Sequence, residues 1–298
     1  MITVSDLTKS YGSAKAVDQL TFSLSPGRTT ALLGPNGAGK TTTLHMISGL
    51  AEPTAGTITF DQHHGDNRSL IGFLPQYPSF FNWMTAKEYL VFAAELGKVS
   101  KKEGIIRADQ LLERVGLKEA ANKKIGGFSG GMKQRLGIAQ ALIHQPKLLL
   151  LDEPVSALDP AGRKDVMDLL QELKQEMTIL YSTHVLHDAQ TLCDDVLIMN
   201  HGKKVLFDSL EQVYAAYDRP EITIRSDEPI KEWVTLLQQK HPVLTVKSDD
   251  RTAIVKGMEI DSLRPLLLKE IITHQLPVRS MEVGTATLED VFHEVMNV

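Results

Sequence analysis

The period of the apolar positions changes along the chain, and each change marks a new kind of element. Over residues 1–33 short apolar stretches read as strands at Ile2–Leu7, Leu20–Leu24 and Thr29–Leu33, with turns at Gly12 and Pro26-Gly27. Gly56–Phe60 is a further strand candidate. From Thr85 the pattern turns helical. Thr85 with Glu88 makes a capping box, and Leu90, Ala93, Ala94 and Leu96 follow at helical spacing. A second helix is predicted over 104–115 and a third over 130–144, ending before Pro146.

Lys147–Leu151 is continuously apolar, which suits a strand buried on both faces of a parallel sheet. Such sheets bind ligands beyond the carboxyl ends of their strands, and here that end carries Asp152-Glu153. Residues 160–175 read as helix, and Met177–Ser182 as a second buried strand ending in Thr183-His184. A hairpin joins Val196–Met199 to Lys204–Phe207 through His201-Gly202. Composition shifts near Arg219-Pro220. Beyond it the order is strand 221–225, helix 229–240, strands 243–248 and 252–257, helix 260–275 and strand 278–283. That β-α-β-β-α-β order is the ferredoxin-like split arrangement. A closing helix over 287–296 has Thr287 as its cap.

Bulk properties narrow the function. The 298 residues suffice for about two domains. Acids and bases are interspersed at a net charge of −5, with no long basic run of the kind that coats nucleic acid. One cysteine, Cys193, allows no internal disulfide, as suits a reducing cytosol. The first residues lack the layout of a signal peptide, and no apolar stretch approaches the ~20 residues of a membrane span. Action at a membrane therefore calls for a partner.

The chemistry concentrates in Gly34-Pro35-Asn36-Gly37-Ala38-Gly39-Lys40-Thr41-Thr42. It fits G-x-x-x-x-G-K-[ST] between a strand and a helix-like run, Thr42–Leu50, the context a phosphate-binding loop needs. Glycines let backbone N–H groups point at phosphates, and the helix adds its positive N-terminal end. Lys40 can reach the β- and γ-phosphates and Thr41 can hold Mg²⁺. Asp152 can bind Mg²⁺ directly or through water, and Glu153 can polarise an attacking water. Ser129-Gly130-Gly131 heads a helix and can offer N–H groups to an anion, or be an ordinary cap. Gln76 can touch water and Mg²⁺, His184 a γ-phosphate, and Tyr11 can stack on adenine. Each of these three residue types, taken alone, more often plays a structural or surface role.

Taken in order, these motifs resemble the ATP-binding cassette (ABC) ATPase of ABC transporters. Gly34–Thr42 matches the Walker A motif, Leu148–Glu153 the Walker B, Gln76 the Q-loop, and Phe128-Ser129-Gly130-Gly131-Met132 the signature usually written LSGGQ. Ser156-Ala157-Leu158-Asp159 matches the D-loop, His184 the H-switch, and Tyr11 the adenine-stacking aromatic. The signature departs at Phe128 and Met132 and keeps its phosphate-facing centre. The resemblance covers roughly residues 1–215. It implies a RecA-like α/β P-loop NTPase core, an antiparallel β subdomain and a helical subdomain at about 78–145, within an ATPase domain 1–218. Residues 219–298 would then be a small α/β accessory domain.

The resemblance further implies that ATP and Mg²⁺ are bound and that two cassettes pack head to tail. ATP held by Lys40 and Thr41 of one is then covered by Ser129 and Gly131 of the other, and Gly130 and Asp159 also count among the nucleotide-binding residues. Glu153, His184 and Gln76 would be catalytic, and Thr41, Gln76 and Asp152 would hold the metal. An integral-membrane permease would be the partner, with the chain peripheral on the inner face of the plasma membrane. The tail Thr287-Leu288-Glu289-Asp290-Val291-Phe292 resembles that of stand-alone cassettes serving ABC-2-type exporters. A soluble ABC ATPase of DNA repair or the ribosome is the alternative. Such proteins carry two cassettes, a coiled coil or zinc cysteines, none of which this sequence offers.

Overall fold

The computed structural model describes residues 2–61, 65–156, 158–217, 221–284 and 287–296. Two compact units divide the chain, Met1–Leu210 and Glu211–Val298. The boundary expected at 218–219, and Ala157 of the D-loop match, lie outside the described residues.

In the first unit a six-stranded sheet carries the buried apolar runs. Its strands are β3 (Thr29–Leu33), β5 (Ile71–Leu74), β6 (Leu148–Asp152), β7 (Thr178–Thr183), β8 (Asp195–Asn200) and β9 (Lys203–Ser209), in the order β5-β6-β7-β3-β8-β9. All pairs are parallel except β8–β9. Every residue of β3, β6 and β7 is buried, as expected of strands covered on both faces. A second, antiparallel sheet holds β1 (Ile2–Tyr11), β2 (Ala14–Leu24) and β4 (Ala55–Phe60) in the order β2-β1-β4. Helix α1 (Lys40–Ile47) lies between the sheets, and its Leu44 and Ile47 share a core with Leu7, Leu20, Leu32 and Leu150. Burying each such side chain contributes about 1.5–3 kcal/mol.

The helical subdomain comprises α2 (Ala86–Leu96), α3 (Lys101–Arg114) and α4 (Gly130–Leu142). Both halves of the Thr85–Glu88 capping box form. Helix α3 starts three residues earlier than its apolar spacing indicates, because Ser100 caps it by accepting from the Glu103 N–H. Two further helices, α5 (Pro160–Leu173) and α6 (Leu186–Leu192), flank β7, and α7 (Leu210–Tyr217) follows β9. Cys193 is buried, and burial pushes its thiol up to about 12, so it is chemically inert.

The second unit is the split β-α-β fold expected from the sequence. Strands β10 (Glu221–Ser226), β11 (Thr245–Ser248), β12 (Thr252–Lys256) and β13 (Val278–Gly284) form one antiparallel sheet ordered β11-β12-β10-β13. Helices α8 (Lys231–Lys240) and α9 (Ile260–Thr273) close its core around Trp233, Leu237, Leu263 and Leu267. Glu270 is buried within it, held by Lys240 at 2.7 Å and His241 at 3.3 Å. The Lys240 ammonium beside it holds its carboxyl below the usual range. The last helix, α10 (Leu288–Met296), is capped by Thr287, with Leu288 and Val291 buried. Among the described residues no helix is long and apolar enough to cross a membrane.

Candidate nucleotide site

Because β3, β5, β6 and β7 are mutually parallel, their carboxyl ends share one edge of the sheet. The loop after β3, Gln76 after β5, Glu153 after β6 and His184 after β7 therefore meet. Together with Ala16, Tyr77 and Ser156 they line a cleft of about 810 Å³, whose floor is Asn36 to Thr42.

Glycine is required at two points of the loop. Gly34 has φ +152° and Gly39 φ +101°, and a Cβ would strike the carbonyl oxygen of Met199 at the first and of Ala16 at the second. Gly39 is also the N-cap of α1. No side chain caps that helix, and its first turn holds no acid. Its leading N–H groups and positive dipole end thus face the cleft uncompensated, as an anion site requires. Lys40 is 6% exposed, and its Nζ donates to the carbonyls of Gly34 at 2.7 Å and Pro35 at 3.2 Å. Burial lowers its pKa, opposed by the charges of Glu153 and Asp152. A phosphate would supply the close counter-charge that these more distant carboxylates do not.

The acid pair divides its work by depth. Asp152 is buried beneath the cleft, does not line it, and accepts from Ser182 Oγ at 2.6 Å. Glu153 takes a left-handed backbone, φ +46°, which turns its side chain into the cleft. Such a conformation is costly for a non-glycine residue and is found where a site demands it. Ser182 Oγ, opposite Asp152 in the β6–β7 register, also accepts from the Glu153 N–H at 2.9 Å. One hydroxyl therefore ties both acids, a role that the sequence left unmarked. Gln76 Nε2 and His184 Nδ1 both reach Oε2 of Glu153, at 3.4 and 3.1 Å. A carboxylate only accepts, so Nδ1 carries the proton in that contact. Among the described residues no three His, Cys, Asp or Glu side chains form a metal cage. The hydroxyl, amide and single carboxylate here instead suit a cation held mostly by phosphate and water, the manner of Mg²⁺.

Other expected residues stand elsewhere. Tyr11 is 56% exposed at the β1–β2 turn, with the Lys9 ammonium 5.1 Å from its ring centre, and it does not line the cleft. Ser129, Gly130 and Gly131 head α4, where Ser129 Oγ accepts from the Met132 N–H at 3.3 Å. Asp159 caps α5 through the Gly162 N–H, also at 3.3 Å. The starts of α4 and α5 adjoin, since a Cβ on Gly131 would lie 3.6 Å from Cα of Gly162. These two motifs thus share a surface outside the cleft.

Comparison with known proteins agrees with this geometry. The family model described as ABC transporter matches residues 17–156. The uncharacterized ABC transporter ATP-binding protein YxlF of Bacillus subtilis is 45% identical over 297 residues, all of both chains. The bacitracin transport ATP-binding protein BcrA of Bacillus licheniformis is 43% identical over 222 residues, 71% of this chain and 72% of that one. The linearmycin resistance ATP-binding protein LnrL of Bacillus subtilis is 32% identical over 301 residues, 98% of this chain and 97% of that one. Among solved structures, a dimeric ATP-binding cassette in a post-hydrolysis state with ADP and Pi is similar at TM-score 0.64 and 28% identity. That match covers 70% of this chain and 99% of the other. These relationships do not favour the soluble alternative. With a Walker cleft, an acid pair and a histidine converging on one sheet edge, the chain belongs to the ATP-binding subunits of ABC transporters and is an ATPase.

Proposed function

We propose that two cassettes close over ATP at this cleft and that closure and hydrolysis drive export through an integral-membrane permease. What supports the two-cassette reading is the division of the site. The loop, Gln76, Glu153 and His184 surround one side of a triphosphate, while Ser129, Gly130, Gly131 and Asp159 lie outside the cleft. A second copy, or a paired cassette, placed head to tail would bring those groups over the exposed side. Helix α4 would then complete the neutralisation with its N-terminus. Similarity to a resistance protein along nearly the whole chain supports export as the direction.

In this mechanism the N–H groups of residues 37–42 and the Lys40 ammonium hold the β- and γ-phosphates. Thr41, Gln76 and, through water at its depth, Asp152 would hold Mg²⁺, which when bound supplies positive charge at those phosphates. Glu153 accepts the proton of a water whose oxygen attacks the γ-phosphorus. The β–γ bridging bond breaks, and its electron pair leaves with ADP. With ATP bound, His184 donates its ring N–H to the γ-phosphate, while Gln76 orients the Glu153 carboxylate. Adenine would lie beyond the lined cleft, where the exposed Tyr11 ring can stack on it.

Docking to the permease falls to the aromatic surface that follows Gln76. Phe80 packs edge-on to Tyr89 at 5.1 Å, whereas Phe81 and Trp83 face outward at 49% and 70% exposure. The chain thereby sits on the inner face of the membrane. Trp83→Ala is expected to lower the membrane-bound fraction at least about fivefold, as loss of an aromatic anchor does, with ATP affinity unchanged. Sedimentation of membranes from cells expressing each form measures this, and an unchanged bound fraction would remove the surface from the interface.

The second unit has its own core, and its described residues hold no phosphate loop. It acts as an accessory module that tunes coupling or dimer stability. A chain ended after Tyr217 should fold and bind ATP as the full chain does, yet couple poorly to transport. Loss of ATP affinity in a truncated but folded protein would show that the module contributes to the site.

A further inference from the structure

The ring of Tyr11 stands at the end of the β1–β2 hairpin, where Tyr11 lies opposite Ala14. Ala16, two residues further along β2 and so about 7 Å away at strand spacing, lines the cleft. The ring is therefore beside the mouth of the cleft, and at 56% exposure the protein core does not hold it. Among the described residues no other aromatic ring packs on it. An exposed side chain of this kind loses rotamer freedom when a base settles on it, and that loss weakens the stack.

Lys9 removes the freedom beforehand. Residues two apart in a strand project from the same face, and the Lys9 ammonium lies 5.1 Å from the centre of the Tyr11 ring, within cation–π reach. A lysine on its flexible stem would fix nothing by itself. Here, however, its Nζ donates to the Glu52 carbonyl at 2.7 Å. That carbonyl belongs to a segment stitched to β1. The Thr54 N–H donates to the Thr8 carbonyl at 2.8 Å, and the Ser10 N–H to Thr54 Oγ1 at 3.1 Å. The same segment is tied to the end of α1, since the N–H groups of Leu50 and Ala51 both donate to the His45 carbonyl. With the strand order β2-β1-β4, and residues 52–54 leading into β4, the ammonium is anchored on the β4 side of β1. The cleft lies on the β2 side, with Ala16. Lys9 itself does not line the cleft.

We propose, on the reading that adenine stacks on Tyr11, that Lys9 is the positioning residue of the base site. Its ammonium occupies one face of the ring and leaves the other, toward Ala16, for the base. The ring is set before nucleotide arrives. The part of the affinity that comes from the base therefore depends on Lys9, although Lys9 touches no nucleotide. A ligand with phosphates and no base gains nothing from it.

Calorimetric titration with a non-hydrolysable ATP analogue and with tripolyphosphate, each with Mg²⁺, separates the two parts. Lys9→Met keeps the length of the stem and removes the charge and the donor. Its affinity for the analogue should fall about fourfold, the scale of a lost exposed cation–π contact, with the affinity for tripolyphosphate unchanged. Tyr11→Ala should weaken the analogue about tenfold, as loss of a base–aromatic stack does, and also spare tripolyphosphate. Lys9→Arg, which keeps a cation suited to aromatic faces, should stay within about twofold of the wild type. In the Tyr11→Ala background Lys9→Met should add nothing, because the ring that it positions is gone. An equal fall for both ligands, a further fall in the Tyr11→Ala background, or Lys9→Arg as weak as Lys9→Met would each overturn the positioning role. If Tyr11→Ala weakens the analogue and Lys9→Met does not, the role of Lys9 falls and the stacking stands. If Tyr11→Ala binds the analogue as tightly as the wild type, adenine does not stack there, and both fall.

Discussion

Glu153→Gln is expected to lower ATPase turnover by at least about a hundredfold, the scale of losing a positioned general base, while leaving ATP affinity nearly unchanged. The amide keeps the volume of the carboxylate and can still contact Gln76 and His184, whose bonds to Oε2 are 3.4 and 3.1 Å long. It cannot take a proton from water. The left-handed backbone at position 153 accommodates glutamine as it does glutamate, so the effect lies in the chemistry and not the fold. Steady-state phosphate release and equilibrium binding of an ATP analogue measure the two halves. Turnover at the wild-type rate would remove Glu153 from the catalytic role.

Lys40→Ala is expected to weaken ATP binding at least about tenfold, because a buried ammonium aimed at a phosphate makes a strong charge-assisted contact. Two effects act together. The cation is lost from the phosphates, and the carbonyls of Gly34 and Pro35 lose the donor that now holds them. Lys40→Arg should not rescue, since a forked guanidinium does not replace a compact point charge in so closed a loop. Calorimetric titration with an ATP analogue reads the change, and equal affinity for wild type and Lys40→Ala would refute the assignment of the loop.

Much of this was legible in the sequence, for identifiable reasons. The loop between strand and helix is a local device, so its nine residues announce it. The fully apolar runs of β6 and β7 identified both strands, and the parallel-sheet rule placed Asp152, Glu153 and His184 at their ligand ends. The split β-α-β order of the second unit followed from alternating strand and helix periods. Helix α6 gave no signal, because seven residues without a cap carry too little periodicity, and its position depends on Arg163, Gln171 and Lys174 far away in sequence. Ser182 was hidden for a similar reason. Its bond to Asp152 exists only through the β6–β7 register. Nor does sequence order reveal which motifs share a cleft. Glu153 and Ser156 line it, whereas Asp159, three residues on, caps a helix outside it.

The central claim is that ATP is enclosed between two cassettes, and the mass of Glu153→Gln in solution tests it most directly. Without hydrolysis the closed state should accumulate. With ATP and Mg²⁺, light scattering after size exclusion should give twice the monomer mass, and without nucleotide the monomer mass. Adding Ser129→Glu, which sets a carboxylate at the start of α4 against the partner's phosphates, should return the monomer while ATP remains bound. A Glu153→Gln protein that binds ATP and stays monomeric at every concentration would contradict the account.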